Sequence, residues 1–115
     1  MEIARGDIWW ADLPDRVASD PGGTRPVLVV QANAFNRSRI ATILVVVITT
    51  NDRLATLPGN VPIPPRSTGL KQPSVANVSQ IITADRAFLR ERIGRVSSET
   101  LARVESGLRL VLGLT

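Results

Sequence analysis

The chain has 115 residues, 43% of them apolar, a formal net charge of +4, and neither His nor Cys. It therefore lacks the usual general base, the thiol nucleophile and the soft metal ligands, and no disulfide holds its fold. Its cationic charge is almost wholly guanidinium, thirteen Arg against the single Lys71, which suits gripping phosphate better than shuttling protons, because the planar fork stays protonated and matches phosphate oxygens.

This length supports one core, so a single domain over residues 1–115 is expected. The N-terminal MEIARGDIWW has no charged n-region followed by an apolar h-region, and no apolar run approaches the roughly 18 residues of a spanning helix. A soluble, cytoplasmic protein without a membrane partner is the expectation. Charge is uneven along the chain: two Arg face five acids over 1–24, six bases face only Asp52 over 25–71, and six Arg face four acids from 72 onward. The middle of the chain is the basic part.

In chain order, the patterning reads as mainly β. Residues 7–13 (DIWWADL), 26–31 (PVLVVQ) and 42–49 (TILVVVIT) are strands, the third so rich in β-branched residues that burial on both faces is expected. Between the first two, residues 14–24 (PDRVASDPGGT) form a connection far longer than a hairpin needs, which reads as a flap. The loop 32–39 (ANAFNRSR) mixes Arg and Asn with one Phe, a set suited to phosphate contact and base stacking, and equally to a solvated turn. Shorter extended pieces follow at 60–63, 74–82 and 92–96, with a helical turn expected at 84–90 capped by Thr83. A final helix over 98–112 is capped by Ser97 and has Leu101, Val104, Leu108 and Val111 at helical spacing. Adjacent Trp9 and Trp10 point to opposite faces of their strand, one expected in the core and the other partly covered. Many short strands separated by turns indicate a small barrel or sandwich.

The segments RGDIWWADL, GGTRPVLVVQ, the apolar strand ending in ITT, TGLKQPSVANVSQI and IGRVSSETLARVESGLRLVLGL occur in that order. Together they resemble the MazF/PemK toxins of bacterial toxin–antitoxin modules across nearly the whole chain. The resemblance implies an α+β protein, mainly β: a small SH3-like β-barrel with a C-terminal α-helix, assembled as a homodimer. It also implies a metal-independent endoribonuclease, with no cofactor, that cuts single-stranded RNA at a short sequence and is restrained by a cognate MazE-like antitoxin. The family's catalytic Arg falls on Arg25 and its catalytic Thr on Thr49, next to Thr50. By residue type alone, Arg25 is a surface arginine at a strand start, and the two threonines are ordinary strand formers.

The implied chemistry fits these residues. RNA carries its own nucleophile, the 2′-OH, so Arg25 would stabilise the five-coordinate transition state and Thr49 would bind the scissile phosphate or orient the 2′-OH. The products implied are a 2′,3′-cyclic phosphate and a 5′-OH. Candidates for RNA binding are Phe35, Asn36 and Arg37 in the second loop, Arg53 beyond the ITT strand end, and Gln80. Where many family members carry an acid before the Gln and a basic residue two after it, this chain has Ser79 and Ile82. A gyrase-binding toxin of the same barrel type and a noncatalytic module that binds RNA or antitoxin are the alternatives.

Overall fold

The computed structural model describes residues 2–13 and 23–114. Of the flap expected over 14–24, only Gly23 and Thr24 fall among them, and both belong to a strand. The elements are β1 (Asp7–Leu13), β2 (Gly23–Val29), the one-turn helix α1 (Asn33–Asn36), β3 (Thr42–Thr49), β4 (Val61–Ile63), β5 (Ser74–Asp85), β6 (Leu89–Arg95) and the helix α2 (Ser98–Leu112). The strands form a single antiparallel sheet in the order β4-β5-β3-β2-β1-β6.

The β-branched run of β3 is the centre of this sheet. Val45, Val46 and Val47 are fully buried, and alternation sends them to two different cores. Ile43, Val45 and Val47 pack with Trp9, Leu13, Val27 and Val29, while Val46 and Ile48 pack with Ile8, Leu28, Ala76, Val78 and Val104. Each such side chain contributes on the order of 1.5–3 kcal/mol through removal from water, which is why an uninterrupted apolar run is stable here and would be costly in a sheet with one wet face.

Among the described residues, the edge strands β4 and β6 share no hydrogen-bonded ladder, so the sheet is a curled half-barrel closed by a loop. The connection after β4 passes so near β6 that a Cβ at Gly94 would lie 2.1 Å from the Thr68 carbonyl oxygen, and one at Gly69 would lie 2.4 Å from that of Ile93. Helix α2 lies across the second core. Ser97 Oγ accepts from the Thr100 N–H at 3.1 Å, and Gly113 ends the helix in the left-handed region at φ 70°. Its packing face is Leu101, Val104 and Leu108 with Gly107 at the closest approach, whereas Val111, expected on that face, is exposed. The Arg5 guanidinium ties this helix to the sheet, donating to the Val30 carbonyl and to the Glu105 carboxylate.

Three expectations need correction. Residues 84–90 are not a helical turn capped by Thr83: β5 continues to Asp85, because Ala84 and Asp85 pair with Ile43 and Thr42 on β3, and a 3₁₀ turn covers only Arg86–Phe88 with Asp85 as its cap. β2 starts at Gly23 instead of 26, since Leu13 and Asp12 of β1 pair with Gly23 and Thr24. β6 starts at Leu89 instead of 92, paired along β1 through two register shifts. Trp9 is buried, as expected for one of the pair, and Trp10 is exposed.

Candidate active site

The backbone register decides where the two candidate catalytic residues stand. β2 and β3 pair as Val29 with Val45, Leu28 with Val46 and Val27 with Val47. Continuing that register by one two-residue step brings Arg25 opposite Thr49. Strand neighbours are about 4.8 Å apart and positions two residues apart share a face, so both side chains lie at one end of the face occupied by Val27 and Val47. Arg25 is half-buried on β2, and Thr49, at 9% exposure, closes β3.

Thr50 points the other way. With Trp10, Pro26, Leu70 and Lys71 it lines a pocket of about 230 Å³ on the opposite face, so alternation alone separates Thr49 from its neighbour. Thr49 Oγ1 accepts the Asn51 N–H at 3.1 Å, which leaves its hydroxyl proton as the group to offer an incoming oxygen. Asn51 Oδ1 in turn accepts from the Arg53 N–H at 3.2 Å, capping the 3₁₀ turn Asp52–Thr56 that places the exposed Arg53 just beyond the strand end.

β5 supplies the third side of the site. Val75 pairs with Thr49 and Asn77 with Val47, which puts the Asn77 amide on the same face as Thr49. Asn77 is 6% exposed and donates to Gln80 Oε1 at 2.8 Å, so Gln80 is held beside it. Asn77 is not among the candidates that the sequence singles out. Asn in the interior of a strand is disfavoured by propensity, and that mismatch is the available signal. Ser79 is exposed, while Ile82 pairs with Val45 and packs against the first core, so an apolar residue suits that position here.

At the rim, Asp12 of β1 accepts from Thr24 Oγ1 at 2.8 Å and forms an ion pair with Arg90 of β6. The Thr24 hydrogen bond first, and the Arg90 hydrogen bond second, hold the Asp12 carboxyl below its usual range. This clip joins the three strands β2, β1 and β6 close to Arg25.

The remaining candidates stand elsewhere. α1 precedes the start of β3, and Thr42 and Thr49 are the two ends of that strand, about 23 Å apart at 3.3 Å per residue step. Phe35 and Arg37 are exposed there, and Arg37, Arg39 and Arg86 line an open depression of about 970 Å³ shared with Glu2 and Asp85. Asn36 is buried: its Nδ2 donates to the Gln31 carbonyl at 3.0 Å and its Oδ1 accepts from Gln31 Nε2 at 3.0 Å, so its amide holds the α1 turn together. The fold thus gathers Arg25, Thr49, Arg53 and Gln80 at one end of the sheet and leaves Phe35, Asn36 and Arg37 at the other.

Fold and site together define a small curled antiparallel barrel with an arginine, a hydroxyl and carboxamides converging at one sheet end. The model of the PemK-like, MazF-like toxins of type II toxin–antitoxin systems matches residues 4–112, and the chain belongs to that family. It is 45% identical over 114 residues to Endoribonuclease MazF6 of Mycobacterium tuberculosis, covering 99% of this chain and 100% of the relative. It is 37% identical over 114 residues to Endoribonuclease EndoA of Bacillus subtilis, covering 99% and 97%. Among solved structures, a mycobacterial endoribonuclease in complex with its cognate antitoxin superposes with a TM-score of 0.81 at 29% identity, over 98% of this chain and 97% of that one.

Proposed function

We propose that this chain is an endoribonuclease toxin that cleaves single-stranded RNA at a short sequence, without a metal ion, leaving a 2′,3′-cyclic phosphate and a 5′-OH. The observation that carries this reading is the β2–β3 register, Val27 opposite Val47, whose continuation by two residues would face Arg25 with Thr49 at one sheet end. The names of the relatives, MazF6 and EndoA endoribonucleases, support the same reaction class.

In this reading the ribose 2′-oxygen attacks the adjacent phosphorus as the bond to the 5′-oxygen breaks; the 2′-OH proton leaves and the departing 5′-oxygen gains one. Arg25 places permanent positive charge on the phosphoryl oxygens as negative charge builds there. A guanidinium offers N–H donors and no accepting lone pair, which makes it a poor general base. Thr49 donates its hydroxyl proton to a phosphoryl oxygen or orients the 2′-OH. Gln80 and Arg53 contact nucleotides beside the cut. Phe35 and Arg37 contact RNA farther along, with Asn36 holding their turn.

The chain acts as one domain in the cytoplasm, as a homodimer, and is restrained by an acidic, initially disordered antitoxin segment that competes for the basic site. The solved complex of a mycobacterial endoribonuclease with its cognate antitoxin supports such a partner.

The test is an end-labelled RNA mixture incubated with the protein in the presence of chelator. Defined cuts by the wild-type protein, lowered about 100- to 1,000-fold in a folded Arg25→Ala variant, are expected. Full cleavage by that variant would remove Arg25 from the mechanism. Inhibition of gyrase without cuts, or RNA binding without cuts, would replace the nuclease reading with one of its two alternatives.

A further inference from the structure

The other end of the sheet, where β3 begins, carries a second concentration of guanidinium. Arg37 and Arg39 of the loop after α1 and Arg86 of the turn after β5 line the open depression of about 970 Å³, with only Glu2 and Asp85 as acids among its lining residues. Arg37 and Arg39 are exposed, and among the described residues neither guanidinium enters an ion pair. The Asp85 carboxylate is already engaged, accepting the Ala87 N–H at 2.9 Å. Positive charge is therefore in excess at the Thr42 end of β3, about 23 Å from Thr49 at 3.3 Å per residue step.

The two segments that supply these arginines are clamped to each other. The Arg86 backbone N–H donates to the Ala41 carbonyl at 2.8 Å, and its guanidinium donates to the Ile40 carbonyl through Nε at 3.3 Å and Nη2 at 3.0 Å. Ser38 Oγ donates to the Phe35 carbonyl at 2.6 Å and accepts the Ile40 N–H at 3.2 Å, while buried Asn36 pins the turn to Gln31. A loop held this way presents its arginines from fixed backbone positions, so less conformational entropy is lost when they grip an anion. Phe35, on the same turn, is 56% exposed. An exposed ring beside guanidinium groups suits single-stranded RNA, whose bases stack on the ring and whose phosphates meet the planar forks. An acidic peptide would satisfy the charge but bring no base to Phe35.

We infer that this depression is a second binding site for the RNA chain being cut, in which Arg39 and Arg86, together with Arg37, grip phosphates several nucleotides from the cleaved bond. This inference rests on the RNA-cleaving reading above and adds a length dependence to it. At about 3.4 Å per stacked nucleotide, 23 Å corresponds to roughly seven nucleotides, and to fewer in an extended strand. A short RNA occupies the cleavage end alone. A longer one is held at both ends of the sheet, so it is captured at lower concentration and with a stronger dependence on salt.

The experiment uses the full chain and two RNAs that share one mapped cut site, with about three nucleotides on each side of the cut in one and about fifteen in the other, so that only the second reaches the depression. For the wild-type protein, kcat/KM is expected to be about 10-fold higher on the long RNA at low salt, and log kcat/KM to fall more steeply with log salt, by about 0.7 for each phosphate gripped. Arg39→Ala is expected to reduce both the long-RNA advantage and the extra slope, while cleavage of the short RNA, which does not reach position 39, serves as the reference and stays unchanged. Arg39 is exposed, so this variant reports even if the added change in Arg39→Ala with Arg86→Gln, expected to remove the rest of the advantage, disturbs the fold. Equal losses on both RNAs, or an advantage that survives in a folded double variant, would overturn the inference and leave the nuclease reading intact. So would a wild-type protein that cuts both RNAs equally well, and Arg39-dependent binding of a labelled polyglutamate peptide would then assign the depression to an acidic protein segment. A wild-type protein that cuts neither RNA would overturn both readings.

Discussion

Gly94 of β6 and Thr68 of the loop after β4 touch backbone to backbone: a Cβ at 94 would lie 2.1 Å from the Thr68 carbonyl oxygen. Between the two edge strands, this contact holds the half-barrel shut. It fixes the stretch leading into β5, and with it Val75, the partner of Thr49. Because the opposing atoms are backbone, Gly94→Ala forces the loop away. A loss of about 1–3 kcal/mol is expected, comparable to core overpacking, lowering Tm by roughly 4–8 °C per kcal/mol. Thermal unfolding of the purified variant measures this, and an unchanged Tm would mean that the closure tolerates displacement.

Thr49 ends β3 and Thr50 follows it toward the pocket of Trp10, so substitutions that keep their shape separate their roles. Thr49→Val removes the hydroxyl that accepts from Asn51 and donates toward the site; a drop in kcat on the order of 100-fold is expected. Thr50→Val, on the pocket face with Trp10, should cost less than about 10-fold, since no transition-state donor is lost. Steady-state cleavage of a short RNA gives both values, and equal losses would contradict the alternation argument.

Asn36 is predicted to matter for stability. Its amide bonds both the side chain and the carbonyl of Gln31, and Gln31 itself accepts the Leu44 N–H at 3.2 Å and donates to the Thr42 carbonyl at 3.1 Å. Asn36→Ala strands part of that network in a buried place and should cost about 1–3 kcal/mol. Urea unfolding monitored by Trp fluorescence would show this as a lower midpoint at constant slope.

The Asp12 clip predicts a pH dependence. Its carboxyl is held below the usual range in the folded state, chiefly by Thr24 and then by Arg90. A group whose folded pKa is lowered stabilises the fold above its unfolded value and ceases to do so as pH falls through the folded value. The difference in unfolding midpoint between the wild type and Asp12→Asn is therefore expected to be present at neutral pH and to shrink below about pH 4. Asp12 is partly exposed, so the difference should be small and should diminish in high salt. A difference that grows in acid would reverse the assignment.

Local pattern makes much of this protein legible. The bounds of β1, β3 and α2 follow from alternation, from a β-branched run and from a capped amphipathic repeat, and tertiary packing agrees with them. Ala84 reads as helical because propensity cannot see that β3 extends far enough to pair with it. Asn36, in a basic loop, reads as an RNA contact because its burial under Gln31 is set by chain positions the loop does not contain.

What the sequence determined by itself was a guanidinium-rich, thiol-free, mainly β chain, the strands that carry Arg25 and Thr49, and the family those strands resemble, because each depends on residue type and near-neighbour spacing. The tertiary structure alone decided that β2 and β3 are neighbours in a register whose continuation faces Arg25 with Thr49, that Thr50 lines a pocket with Trp10, and that a bulge in β5 sets Gln80 beside Asn77. Those relations depend on strand pairing between distant segments, and a shift of one residue in register would send every one of these side chains to the other face.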